Sequence, residues 1–432
     1  MIKHKINISE LIILSLIFFN LFFGNAFHNF GISGIPINEI FLIFFLLLIK
    51  LKEIIYEMIV KINFKNIFFL ILIGLFYIFF SFIEKGVWAI RDGLFIIDIL
   101  FIFVGYYFIK KIDDFLRLKK FFILIAKLSF LYIFFYVFSD QLHHLSPKIV
   151  SYSGNVYSLF FNFFTLKYIM LWSALILYLF KEEDKFFYLI ASFLLLSSSV
   201  ILFQSRAVYI SIFFCFVFLF FLKKIKVINL LFLLSLFIFF TSLINFFEID
   251  LNERLYKFNI RFLYQHFISL LVPFTDVIID NDFQGQVGTA EVRLNWWKSI
   301  LQNSTSSIKI FLFGEGFGEP LINFYATADH IPVREPHNSY ITFIGRIGYL
   351  GTLAWFLFHI KIYKIIKNTY CDHSLKDNEK NIFIIILIYL LIIIVSSFGD
   401  SMLQYPCYSI PFYFFIGICL KINVLINSKK II

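Results

Sequence analysis

A chain of 432 residues that is 60% hydrophobic and 15% charged, with 65 Phe, has too little polar surface for water. A soluble domain holds about 45–50% apolar and about 25% charged residues, so embedding in a bilayer is the reading that remains. The formal charge of +10 invites a nucleic-acid partner, but the placement of the basic residues argues against one.

A spanning helix needs about 20 largely apolar residues. The first such run, 6–25, resembles a secretory signal, yet its apolar run is long and no small-x-small cleavage site follows. A retained first helix is expected there. Further spans are expected near 35–51, 66–83, 94–110, 119–138, 156–180, 186–203, 206–222, 227–247, 338–360, 381–399 and 407–427. The pair 186–203 and 206–222 is short and joined by almost no loop.

Lys and Arg mark the cytoplasmic loops of a membrane protein. With the N-terminus inside, the inner segments hold 24 basic residues and the short outer loops hold four, Lys85, Arg91, Lys148 and Arg206. That asymmetry sets both termini in the cytoplasm and accounts for the basic charge without nucleic acid. One connection is long: residues 248–337, on the outer side, with 11 acidic and 7 basic residues. Long loops in compact proteins are functional or disordered. Its stretches "NERLYKFNIRFLYQHFISLLV", "EVRLNWWKSILQ" and "IFLFGEGFG" have amphipathic helix character, with Trp suited to a headgroup interface. The expected fold is therefore all-α, a polytopic integral membrane protein of about 12 transmembrane helices with a helical outer-face (periplasmic) cap. A bundle of about nine helices fills 1–247, the cap 248–337, and about three more helices 338–432.

Few residues offer chemistry. Cys215, Cys371, Cys407 and Cys419 are scattered, with no CxxC pair or metal spacing, and read as inert thiols. Lys127 and Lys167 lie inside expected spans, where ionisable groups are costly and suspect. With no carboxylate beside either in the sequence, a structural role is the simpler reading. Arg206, in "LFQSRAVYIS", is either a snorkelling interfacial arginine or an anion ligand at a helix N-terminus, where free N–H groups and the helix dipole favour phosphate. Arg293, in "EVRLNWWKSI", has Glu291 as a possible ion-pair partner. Beside Trp296 and Trp297 it would instead lie against the membrane, where a guanidinium can grip two phosphate oxygens at once. The glycines Gly314, Gly316 and Gly318 of "FGEGFGEP" resemble a phosphate cradle, but no strand precedes them and no GK[ST] helix follows. A tight turn is the better reading. Arg346, about two turns into the following helix, is either functional or an anchor.

His337 stands where the loop "REPHNSY" becomes a membrane helix. An imidazole titrates near neutrality, at about 6.5, and can accept and return a proton. A lone histidine is more often structural. Here Pro336 ends the loop, and Asn338 and Ser339 supply orienting hydrogen-bond groups.

Taken in order, "SRAVYIS", the long outer loop with "EVRLNWWKSI" and "FGEGFG", and "PHNSYITFIGRIGYLG" resemble the O-antigen ligase and polymerase family over roughly residues 200–380. Such proteins are polytopic bacterial glycosyltransferases of the inner membrane that act on undecaprenyl-diphosphate-linked glycans. The resemblance implies diphosphate ligands at Arg206 and Arg293, a catalytic His337, and supporting roles for Asn338, Arg334 and Arg346. It implies no metal and no cofactor, a lipid-linked glycan donor, and lipid A–core or a second lipid-linked glycan as acceptor. The sequence departs from the family at Arg346, just before Ile347-Gly348, where an acidic residue is usual; if that acidic group selects the acceptor, the acceptor here differs from the usual one. A ligase is favoured over a polymerase, a protein O-oligosaccharyltransferase being less favoured. From another class, a lipid-linked glycan transporter or flippase fits the helix count. Transporters often carry internal repeats and broken midplane helices, and this sequence displays neither.

Overall fold

A computed structural model of the chain describes residues 8–32, 35–62, 65–135, 138–150, 156–160, 163–181, 185–203, 205–226, 284–322, 334–372 and 375–429. The expected span 227–247, the stretch 252–272 and the rest of the cap before residue 284 lie outside these residues.

Helices dominate what is described. The helices α1 (Ile8–His28) and α2 (Ile37–Leu48) are joined by an antiparallel hairpin, β1 (Gly31–Ile32) with β2 (Ile35–Pro36). Next comes α3 (Leu51–Ile62), which buries Ile54, Met58 and Ile62 at fourfold spacing, the mark of an amphipathic helix. The chain continues through α4 (Lys65–Lys85), α5 (Val87–Asp92), α6 (Leu94–Ile97), a 3-10 turn η1 (Asp98–Leu100) and α7 (Phe101–Phe108). The expected span 94–110 is thus interrupted at its upper end, where buried Asp98 accepts a hydrogen bond from the Ser409 hydroxyl. Then follow α8 (Ile112–Phe134), α9 (Ser139–Leu145), the hairpin β3 (Lys148–Val150) with β4 (Val156–Ser158), and α10 (Phe163–Leu179). The expected span 156–180 therefore opens as a strand, because Lys148 faces Ser158 in the hairpin and its ammonium donates to the Ser158 hydroxyl at 2.6 Å.

The tight pair is resolved into α11 (Lys185–Ile201) and α12 (Arg206–Phe221). The described part of the outer segment contributes α13 (Gln284–Ser304) and α14 (Ile308–Phe313). The chain closes with α15 (Ser339–Tyr370), α16 (Asp377–Ser396), a 3-10 turn η2 (Met402–Gln404) and α17 (Pro406–Lys429). Among the described residues, α1, α15, α16 and α17 are long and apolar enough to cross a membrane, and shorter apolar helices accompany them. The architecture agrees with an all-α membrane protein.

The centre of the bundle is α17 against α7. An added Cβ at Gly105 would lie 1.9 Å from the Phe414 carbonyl oxygen, and one at Gly417 would lie 2.1 Å from that of Ile102. Lipid provides no hydrophobic drive for helices to associate, so such close backbone crossings and buried hydrogen bonds do the work. One such bond runs from the fully buried Trp172 Nε1 to the Ile385 carbonyl at 2.8 Å. The outward sides of α4 and α15 carry exposed Leu72, Phe76, Phe79, Leu353 and Leu357, as a lipid-facing surface requires.

The helix α15 is broken once, at Gly348, whose φ is +67°. A Cβ there would lie 2.4 Å from the Leu312 carbonyl oxygen, so α14 packs into the break. The carbonyls that the break leaves without helical donors are taken by the glycine-rich loop. Glu315 N–H donates to Gly345 O at 2.7 Å and Gly316 N–H to Arg346 O at 3.1 Å.

Candidate active site

The backbone is forced into an unusual turn at the start of α15. His337 has φ +52°, a left-handed conformation that costs energy for a residue with a Cβ and persists only where its surroundings hold it. On its C-terminal side Asn338 caps the helix, accepting from the N–H groups of Tyr340 at 3.0 Å and Ile341 at 3.2 Å. The Asn338 amide also donates to Phe398 O at 3.0 Å, and the Ser339 hydroxyl donates to Gln404 Oε1 at 2.6 Å. The start of α15 is thereby tied to the α16–η2 connection. On the other side, Trp297 Nε1 donates to Pro336 O at 2.8 Å. The Trp296 ring lies over the imidazole with centroids 6.3 Å apart.

The imidazole faces a carboxylate. His337 Nδ1 is 3.6 Å from Asp400 Oδ1, while Asp400 Oδ2 lies 3.5 Å from the ammonium of Lys167. Burial pushes the Asp400 carboxyl up, but the His337 contact and the nearby charges of Lys167 and Arg293 outweigh it and pull it down to about 2. Asp400 therefore stays ionised at any physiological pH. Lys167 is buried and also lies over the Tyr168 ring, 4.8 Å from its centroid. A third of the His337 side chain remains exposed, which leaves the ring open to a substrate.

The two arginines singled out from sequence converge here. Arg293, on α13, donates to Gly399 O at 3.0 Å, one residue before Asp400. It turns to this carbonyl rather than to Glu291, which is exposed. Arg206 opens α12, and its guanidinium lies close enough to that of Arg293 for the two charges to repel. Among the described residues, Asp400 thus meets the Lys167 ammonium and the charge of Arg293, and Arg293 in turn lies near Arg206. The gathering of cationic side chains beside the N-terminal end of α12 suits an anionic ligand.

Arg334 and Arg346 lie in a different cluster. Arg346 is fully buried, with Nη2 3.1 Å from both Asp92 Oδ2 and Glu335 Oε1, and Nη1 donating to Gly316 O at 3.3 Å. Arg334 holds Asp92 through two nitrogens, at 2.6 Å and 3.2 Å, and donates to Gly318 O at 2.8 Å. Its guanidinium lies over the Trp88 ring at 4.1 Å. Gly318 N–H donates to Asp92 Oδ2 at 3.0 Å. The glycine loop is thus bound to protein groups on both sides and forms a turn, not a phosphate cradle.

Asp400 escapes the reading of the sequence, and Lys167 stands out there but reads as structural. Lys167 carried a signal, as a lysine inside a span, but its carboxylate lies far away in the chain. Asp400 sits in "FGDSM", an unremarkable connection until the helices on either side are brought to His337.

Arginine, histidine and carboxylate side chains gathered at one end of apolar helices form a setting that suits an anionic ligand. Residues 191–356 match a family model described as O-antigen ligase. The match spans less than half of the chain and supports a similarity to the O-antigen ligase/polymerase family over that stretch. The matched stretch contains Arg206, Arg293 and His337 and ends before Asp400. A comparison with curated proteins gives no match.

Proposed function

We propose that the protein is an O-antigen ligase-like glycosyltransferase of the bacterial inner membrane. In this reading it has about twelve spans, both termini in the cytoplasm, and its site under a periplasmic cap. It moves a glycan from undecaprenyl diphosphate to a sugar hydroxyl of lipid A–core. The observation that carries the proposal is that Asp400 faces His337, Arg293 binds the adjoining Gly399 carbonyl, and Arg206 lies near Arg293.

The donor is already activated, because the diphosphate is a good leaving group. Arg206 and Arg293 hold its oxygens and balance the charge that develops as the anomeric C–O bond breaks, a preorganised electrostatic role. Asp400, with Nδ1 of His337 turned toward it, favours the tautomer whose Nε2 accepts a proton, and it stabilises the imidazolium that results. The acceptor hydroxyl gives its proton to Nε2 as its oxygen bonds to the anomeric carbon. The bonding pair leaves with the diphosphate, and attack from the opposite face inverts the centre. Lys167 helps keep Asp400 ionised. The two arginines give the charge neutralisation that a divalent ion gives in other glycosyl transfers, so the step uses neither metal nor cofactor.

Donor binding alone does not separate a ligase from a polymerase. The test is the lipopolysaccharide banding of a strain lacking the protein. Loss of all O-chains from an otherwise complete core is expected, and core carrying a single repeat would replace the ligase assignment with a polymerase. Vesicles that take up a labelled lipid-linked glycan without transferring it would overturn both in favour of a transporter.

A further inference from the structure

Between α4 and α15 lies a cavity of about 340 Å³, lined among others by Leu70, Ile73, Tyr77, Leu350, Ala354 and Lys361. Lys361 is the one charged residue in its lining. Ile73, Leu350 and Leu357 at its edge are about half exposed, so the cavity opens sideways from the protein at the level of the hydrocarbon. Its depth follows from helix geometry. At about 1.5 Å per residue, Ile347 stands about 12 Å along the upper segment of α15 from Ser339, and Lys361 about 20 Å along the lower segment from the break at Gly348. A bilayer's hydrocarbon core is about 30 Å thick. The groove therefore runs from the bilayer interior to the interface opposite His337, and Lys361 arrives there at headgroup depth. Lys364 and Lys367 follow on the same helix, and Lys65 opens α4 at that face, all three exposed.

We propose that this groove is a lipid site that seats one acyl chain of an anionic glycerophospholipid from the leaflet on the lysine-rich face, with the lipid phosphate on Lys361. A lysine whose stem lies along apolar surface and whose ammonium reaches the interface is placed to meet a phosphate. Neighbouring lysines favour a headgroup with net negative charge over a zwitterionic one. The glycan donor is not the occupant, since its diphosphate belongs with Arg206 and Arg293 near the start of α15, a full membrane thickness away. The site rests on α4 and α15 spanning the bilayer and not on the transferase reading.

Native mass spectrometry of the full-length protein, released from micelles with equal amounts of phosphatidylglycerol and phosphatidylethanolamine, tests it. One phosphatidylglycerol is expected to be retained in preference. Lys361→Met is expected to lower its occupancy about fivefold, the equivalent of about 1 kcal/mol for one lysine at an anionic surface. Ala354→Phe fills the groove and should reduce retention of both lipids. The surface variant at Lys361 keeps the test decisive should the Phe variant fail to fold. Equal retention of the two lipids by the wild type, wild-type retention by Lys361→Met, or displacement of phosphatidylglycerol by equimolar undecaprenyl phosphate would each overturn the assignment. Both variants are expected to keep O-chain transfer at the wild-type rate. Loss of the transferase reading would leave the lipid retention unchanged.

Discussion

Two clusters of charge flank the same short stretch, residues 334–338, and they are built on opposite principles. Around Arg346, two guanidinium groups meet Asp92, Glu335 and backbone carbonyls of the glycine loop, so positive and negative groups are matched and buried. Around His337, Lys167 and Arg293 act on Asp400, Arg206 lies near Arg293, and the imidazole remains partly exposed. A buried cluster of matched charges serves to hold parts together. A cluster rich in cations, with a partly exposed imidazole, is placed to receive an anion. The contrast separates the arginines that the sequence alone places side by side as candidates.

The comparison breaks most visibly at His337. His337→Ala is expected to lower glycan transfer about 10²–10⁴-fold, the range of a lost general base, while the protein still inserts and binds lipid-linked donor. Undiminished transfer by that variant in a reconstituted assay would remove the histidine from the chemistry. At the arginines, Arg206→Lys and Arg293→Lys keep the charge but lose bidentate geometry. Each should lower transfer about 10²-fold, in the range reported for losing one transition-state donor, and normal rates in both would end the diphosphate assignment.

The matched cluster should respond in stability instead. Removing one partner of a buried charge network strands the others and costs about 3–5 kcal/mol. Arg346→Met is therefore expected to lower the unfolding temperature in detergent sharply, and Arg346→Lys to restore little, because one ammonium cannot bridge Asp92, Glu335 and Gly316 together. A wild-type melting temperature for Arg346→Met would show the cluster to be dispensable.

The smallest effect is in pH. The Asp400 carboxyl is lowered from 3.8 to about 2 in the folded protein, so the folded state binds fewer protons there than the unfolded chain. Its stabilising contribution is complete above about pH 4 and is lost as the pH falls toward 2. Asp400→Asn should flatten the stability profile in that window and leave it unchanged between pH 5 and 8. Equal acid sensitivity of variant and wild type would place the stabilising charge elsewhere.

Much of this was readable in the residues and some was not. Apolar length located α4, α11, α12, α16 and α17 to within a few residues, since lipid demands unbroken runs of that length. It did not reveal the η1 interruption or the hairpin before α10, because all-apolar residues serve a helix and a break equally well. Arg206, Arg293 and His337 stood out because each occurs in a recognisable local motif. Asp400 did not, and Lys167 stood out without its partner, since the pair acquires meaning only when α10 and the α16–η2 connection meet. Arg346 stayed ambiguous for the same reason: its partners come from α5, the glycine loop and residue 335.

The break at Gly348 has a mechanical consequence. Below it, α15 runs from residue 349 to Tyr370, and a long membrane helix tilts to match the thickness of its bilayer. Above it, residues 339–347 are clamped by the loop bonds at Gly345 and Arg346 and by the ties of Ser339 to Gln404. The joint at Gly348 uncouples the two, so tilting of the lower rod in thicker or thinner membranes is absorbed there and does not lever His337 away from Asp400.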